Sequence, residues 1–231
     1  MSIAENIARI REEMKKAALA AGRDPASIQL CAATKMNDAE AVRAAIAGGV
    51  DVCGENRVQE LTQKLSENAY EGAPVHFIGH LQTNKVKQVV GKVALIQSVD
   101  SLRLLEAIQK EAARQSIRQE ILLEVNIGAE ESKSGFAPDE IPDLVNRFSE
   151  FPNLFLRGLM AIPPVSQKPG DNTKFFQKMY ALTVDITTKK VDNVCVDVLS
   201  MGMSDDFADA IACGSTMIRV GTAIFGRRIY N

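Results

Sequence analysis

Residues 28–47 read IQLCAATKMNDAEAVRAAIA: a short apolar run, a lysine, the candidate helix caps Asn37 and Asp38, then a helical stretch. This is one βα unit, and the pattern recurs. Further apolar runs lie at 50–53, 75–78, 93–97, 120–126, 154–160, 194–199 and 217–220. The helix-like stretches that follow them are 55–67, 83–90, 101–115, 138–148 with proline near its first turn, and 173–183. The last two open at Ser204 and after Gly221. Alternating units predict a parallel sheet, and a count of eight predicts a closed (β/α)8 TIM barrel. The rival is a doubly wound open sheet, which usually stops at about five or six strands. No G-x-G-x-x-G follows the first run, which removes the usual dinucleotide signature.

Ahead of the first unit, Ile3, Ile7, Ile10 and Met14 share one helical face, so an amphipathic N-terminal helix is added to the barrel. This segment lacks the apolar h-region of a secretory signal, and Glu5, Glu12 and Glu13 argue against a mitochondrial presequence. No repeat longer than the βα unit, no low-complexity segment and no composition shift interrupts the chain, so residues 1–231 read as one domain.

Composition narrows the function classes. The 27 Lys and Arg nearly balance 29 Asp and Glu, leaving a net charge of −2 and no basic excess to attract nucleic acid. No apolar stretch approaches the ~18 residues of a membrane span. Cys31, Cys53, Cys195 and Cys213 form no C-x-x-C pair, and Cys31 and Cys195 fall in apolar runs where cysteine acts as a small hydrophobe. A reducing cytoplasm suits such cysteines. His76 and His80 alone do not make metal-ligand spacing, and His76 reads as a strand histidine bonded within the barrel.

A (β/α)8 barrel carries its chemistry at the carboxyl ends of its strands. Those positions are Lys35, Glu55 and Asn56, His80, Asp100, Asn126, Met160, Ser200, and Arg219 with Gly221 and Thr222. Lys35 directly follows a buried run. It is either a solvated lysine or an amine at the barrel mouth able to attack a carbonyl. Glycine and hydroxyl residues at the starts of the last helices match the place where barrels often bind phosphate. Ser200, Gly221 and Thr222 therefore read together as a phosphate site, while Ser204 reads as a plain N-cap. A carbonyl-capturing lysine with a phosphate anchor implies a phosphorylated aldehyde: a sugar phosphate in a class I aldolase, or pyridoxal phosphate. Arg219, just before the phosphate turn, either faces a ligand ring nitrogen or pairs with a neighbouring carboxylate.

The tracts ATKMNDAEAVRAAIAGGVDVCGENRVQEL, HFIGHLQTNK, EVNIGAEESKSGF, RGLMAIPP and LSMGMSDDFADAIACGSTMIRVGTAIFGRR resemble the pyridoxal phosphate homeostasis protein family over residues 28–228. The resemblance implies one (β/α)8 barrel similar to the N-terminal domain of alanine racemase, the fold type III of pyridoxal phosphate proteins. It implies that Lys35 holds the cofactor as a Schiff base and that Ser200, Gly221 and Thr222 bind its phosphate. It places Arg219 at the pyridine nitrogen, Asn56 beside the ring and His80 on the same rim. Arg57 stands where the family often has tyrosine, and Gly128-Ala129 replaces its usual Ser-Gly.

An arginine at the ring nitrogen keeps it unprotonated and weakens the electron sink. Racemisation also needs a second base, and Tyr70, Tyr180 and Tyr230 lie in helices or at the terminus rather than at strand ends. No second domain follows residue 231, so the barrel face is expected to be open and the chain monomeric. The expected function is thus a non-enzymatic cytoplasmic carrier. It would hold pyridoxal phosphate and pass it to apo-enzymes, with the 163–172 segment as a mobile loop able to gate the mouth. The alternatives are a weak amino-acid racemase or decarboxylase with Lys35 as its only base, and third a class I aldolase. Glu130, Glu131 and Lys133 read as a solvated loop whose lysine could meet anions.

Overall fold

A computed structural model describes residues 1–130, 133–165 and 168–226. Its strands are β1 (Gln29–Ala33), β2 (Val52–Glu55), β3 (Val75–Phe77), β4 (Leu95–Val99), β5 (Gln119–Val125), β6 (Leu154–Ala161), β7 (Val194–Ser200) and β8 (Met217–Val220). Each pairs in parallel with the next, and β8 returns to β1 with Arg219 opposite Cys31, closing the eight-stranded barrel. Strand side chains alternate between two faces. Cys31, Val52, Leu95, Leu122, Met160, Val198 and Met217 consequently pack together inside the barrel. Their neighbours Leu30, Ala32, Cys53, Phe77 and Ile96 belong to the clusters under the helices.

The helices are α1 (Ile3–Ala20), α2 (Ala39–Ala47), α3 (Val58–Ser66), α4 (Leu102–Arg114), α5 (Ile141–Asn146), α6 (Thr173–Thr187), α7 (Phe207–Ala212) and α8 (Thr222–Phe225). A Ser2–Glu5 capping box starts α1, and side chains of Asp38 and Ser101 cap α2 and α4. As its spacing predicts, α1 buries Ile7, Ile10 and Met14 in a cluster with Ile211 and Ile224. The Asn6 side-chain amide donates to the Ile224 carbonyl at 2.8 Å, so α1 also fixes the short α8 at the barrel mouth.

Several boundaries differ from the sequence reading, each for a local reason. The third unit carries a 3-10 helix over Thr83–Gln88 instead of an α-helix. Its buried residues Val86, Val89 and Val90 are β-branched, and Gly91 takes a left-handed φ of 75° directly after them. The α7 helix opens at Phe207, not Ser204, because the Asp206 carboxylate folds back onto the Met203 N–H (2.7 Å) and makes 203–206 a turn. Cys195 is exposed, since the first half of β7 alternates between partly and fully exposed positions. Tyr70 is not in a helix but in the turn after α3, and it is buried.

Candidate cofactor site

The lysine is presented by a strained turn. Beyond β1, Thr34 is buried, Lys35 is partly exposed and Met36 adopts a left-handed φ of 59°. That conformation is unfavourable for a residue with a side chain and persists only when its surroundings enforce it. Here α3 does so. The Met36 N–H donates to Glu60, and the Thr34 carbonyl accepts from the Lys64 ammonium at 2.8 Å, so both peptide units flanking Lys35 are gripped. Lys64 also pairs with Glu55 at 2.6 Å, and the Thr34 and Tyr70 hydroxyls donate to the same carboxylate oxygen. Glu55, a strand-end candidate in the sequence, is therefore a buried support of the lysine turn.

Lys35 opens on a cavity of about 460 Å³ whose other polar walls are Asn56, Ser204, Asp205, Arg219, Gly221 and Thr222. The N–H groups of Gly221 and Thr222, at the start of α8, make no hydrogen bond among the described residues. A Cβ on Gly221 would lie 3.4 Å from that of Ala33, in ordinary contact, so the barrel's own packing does not demand this glycine. Ser204 completes this wall, its hydroxyl accepting from the Ala223 N–H at 3.4 Å. Unpaired N–H donors, a hydroxyl, an amine and a guanidinium lining one cavity fit an aldehyde that carries a phosphate.

Arg219 is held from below by a chain of bonds with one direction. Its guanidinium donates to the Ser200 hydroxyl (2.6 Å) and the Ala161 carbonyl (2.9 Å). Ser200 donates to Gln97 (2.6 Å), and the Gln97 amide donates to Nδ1 of His76 (2.9 Å). Burial lowers the pKa of Arg219 from its ordinary value. No carboxylate pairs with it among the described residues, so the ion-pair alternative for Arg219 is not what the barrel builds. His76 is a strand histidine bonded within the barrel, as expected. Burial, with the charge of Arg157 in the same sense, pushes its pKa down to about 4. The unfolded imidazole takes up its proton near 6.5, whereas the folded one waits until about 4. Protons therefore favour the unfolded chain across that window, and stability falls as pH drops through it. Compared with His76→Gln, the wild type should lose about 2 kcal/mol more between pH 7 and 4.5, read from urea unfolding at each pH. Equal slopes would refute the neutral buried histidine.

Two sequence assignments move. Ser200 is fully buried beneath the cavity, occupied by Gln97 and Arg219, and does not line it; Ser204, read as an N-cap, does. The exchange follows from the 203–206 turn, which frees the Ser204 hydroxyl to face α8. His80 lies outside the Lys35 cavity, in an adjoining chamber that shares Asn56, and its Nδ1 is 3.0 Å from Asp100. Gly79 makes that junction possible, since a Cβ there would fall 2.1 Å from the Asn56 carbonyl oxygen. Arg57, which departs from the common family residue, is exposed and 3.8 Å from Glu60.

Lys133 is paired with Glu130 at 2.6 Å, while Glu131 lies outside the described residues. The expected gating segment is tied down where it is described. Asn172 donates to the Pro164 carbonyl and to Asp206, and the Gly170 N–H to Asp209; residues 166–167 lie outside the described residues. Among the described residues no cluster of three metal-ligating side chains occurs, and no helix is long and apolar enough to cross a membrane.

Fold and site define the class: a barrel of the type described as "Alanine racemase, N-terminal domain", the family whose model matches residues 2–228. The chain is 41% identical over 230 residues to the pyridoxal phosphate homeostasis protein of Aquifex aeolicus (strain VF5), covering 100% of both. With that likeness along its whole length, the chain belongs to the pyridoxal phosphate homeostasis protein family. Among solved structures it resembles an unknown protein from Bifidobacterium adolescentis, with a TM-score of 0.92 at 36% identity over 96% of this chain and 94% of that one. It also resembles PipY of Synechococcus elongatus PCC7942 with PLP bound, with a TM-score of 0.82 at 31% identity over 97% and 100% of the two chains.

Proposed function

We propose that this chain binds pyridoxal phosphate in the Lys35 cavity, as a Schiff base on Lys35, and serves as a carrier that delivers it to apo-enzymes. The observation that carries this reading is that the Lys35 amine, the unpaired N–H groups of Gly221 and Thr222, and Arg219 all line one cavity. When bound, the cofactor supplies an aldehyde carbon that a primary amine can hold covalently and reversibly. Gly221, Thr222 and Ser204 would hold the phosphate, and Arg219 would face the ring nitrogen. Ser200 then acts through Arg219, by fixing its guanidinium. Asn56 lies beside Lys35 in the same cavity, and His80 serves the adjoining chamber instead.

The non-enzymatic reading draws support from the charges. A guanidinium at the ring nitrogen keeps it unprotonated, which disfavours carbanion chemistry. Among the described tyrosines, Tyr70 is buried against Glu55, where burial pushes its pKa up, and Tyr180 is a half-exposed residue of α6 that does not line the cavity. Neither offers a second base. Mixing the protein with pyridoxal phosphate should produce a visible absorption band that borohydride fixes at one cofactor per chain. Incubation with amino acids should then give no racemisation or α-proton exchange above free cofactor. A protein that stays colourless would overturn the cofactor reading, and turnover well above free cofactor would restore the racemase alternative.

A further inference from the structure

A second chamber, of about 310 Å³, adjoins the Lys35 cavity and shares Asn56, Ile78 and Ile162 with it. Two acceptors on its walls lack donors. The side-chain carboxylate of Glu124, near the carboxyl end of β5, makes no hydrogen bond or ion pair among the described residues. Oδ1 of Asn56 is buried and likewise has no hydrogen-bond partner. The neighbouring cations are engaged elsewhere. Arg219 donates to Ser200 and the Ala161 carbonyl, and Lys133 lies against Glu130 and the Pro163 carbonyl. The local charge is also unbalanced, with Glu124, Asp100 and Glu130 set against Arg219 and Lys133. Burial, reinforced by the charge of Asp100, raises the pKa of Glu124, while Arg219 and His80 act in the opposite sense. A carboxylate left without donors in a partly buried wall is costly, and such groups are retained where a ligand supplies the donors.

We propose that this chamber binds the ammonium group of a small primary amine, through Glu124 and Oδ1 of Asn56. Only the consequence for delivery rests on the cofactor reading above. An amine held there stands across the shared wall from Lys35 and can unload it. Its ammonium proton passes to Glu124, and its nitrogen attacks the aldehyde-derived carbon. The double bond from that carbon passes from the Lys35 nitrogen to the incoming nitrogen, whose two remaining N–H protons move to the lysine nitrogen, and Lys35 leaves as an amine that takes the third proton back from Glu124. Nothing is oxidised or reduced.

The test begins on cofactor-free protein, with L-alanine, n-propylamine and propionate as calorimetric probes. Both amines should bind and propionate should not. Glu124→Gln should weaken amine binding at least tenfold while leaving the melting temperature unchanged and pyridoxal phosphate uptake within twofold. On the loaded protein, saturating amine should speed cofactor release at least tenfold over propionate, and Glu124→Gln should remove the acceleration. Alanine binding without propylamine binding, or propionate binding as well as alanine, would show that the carboxylate is what the chamber reads, and overturns the proposal. No amine binding by a protein that takes up pyridoxal phosphate overturns it alone. Amine binding by a protein that never takes up the cofactor would uphold the ammonium site and sink the cofactor reading instead. The wild-type comparison of probes decides the matter even if the variant fails to fold.

Discussion

Lys35→Ala is expected to lose the visible cofactor band and all borohydride-fixable pyridoxal phosphate, while the barrel remains folded. The residue is partly exposed, and its turn is held by backbone bonds to Glu60 and Lys64. Stability should therefore change by no more than about 1 kcal/mol. The donors at Gly221, Thr222 and Arg219 survive the substitution, so the variant should retain weak, reversible cofactor binding. Ser204→Ala serves as the complementary arm. It should keep the covalent attachment but hold the cofactor more weakly, by roughly tenfold if one hydrogen bond to a charged group is lost. Absorbance, intact mass after borohydride and a thermal melt separate these outcomes. A covalent adduct on Lys35→Ala would move the anchor to another lysine.

Much of this was legible from one βα unit and its recurrence. The strands could be read because both of their faces are buried, which writes them as apolar runs, and their carboxyl ends then select Lys35, Asn56, Arg219, Gly221 and Thr222 as wall residues of one cavity. The differences between the sequence reading and the cavity wall have a common origin. Ser200 and Ser204 lie four positions apart in one tract, and which hydroxyl meets the cavity depends on the Asp206 turn and on Asn172 arriving from another unit. Local sequence does not record that meeting. Glu124 was hidden for a similar reason. In EILLEVN it looks like an ordinary polar residue of a strand, and only the closed barrel turns it toward a chamber. Lys64, which carries no signal of its own in the helical stretch 55–67, is only 4% exposed because α3 lays it across the Thr34 carbonyl.

That burial makes Lys64→Met the most destabilising single change we expect. The Lys64 and Glu55 side chains are 5% and 0% exposed and 2.6 Å apart, and the second oxygen of Glu55 has no hydrogen-bond partner. Removing the ammonium leaves a buried carboxylate with only the Thr34 and Tyr70 hydroxyls as donors, a situation that costs about 3–5 kcal/mol. For a chain of this size that is a drop in melting temperature on the order of 10 °C. Replacing the pair together, as Glu55→Gln with Lys64→Met, removes the charge as well and should recover more than half of the loss. Urea unfolding of wild type, both single variants and the double variant therefore closes a cycle whose coupling should exceed about 2 kcal/mol. A coupling near zero would mean that the pair is not what stabilises this wall. The double variant also separates stability from function. It removes the Lys64 ammonium from the Thr34 carbonyl, so the turn that presents Lys35 loses its grip on α3 at that point and keeps the Glu60 contact and the local bonds from Asn37. Slower cofactor uptake in a stable double variant would locate the clamp's purpose in aiming the lysine, whereas normal uptake would confine it to holding α3 against the barrel.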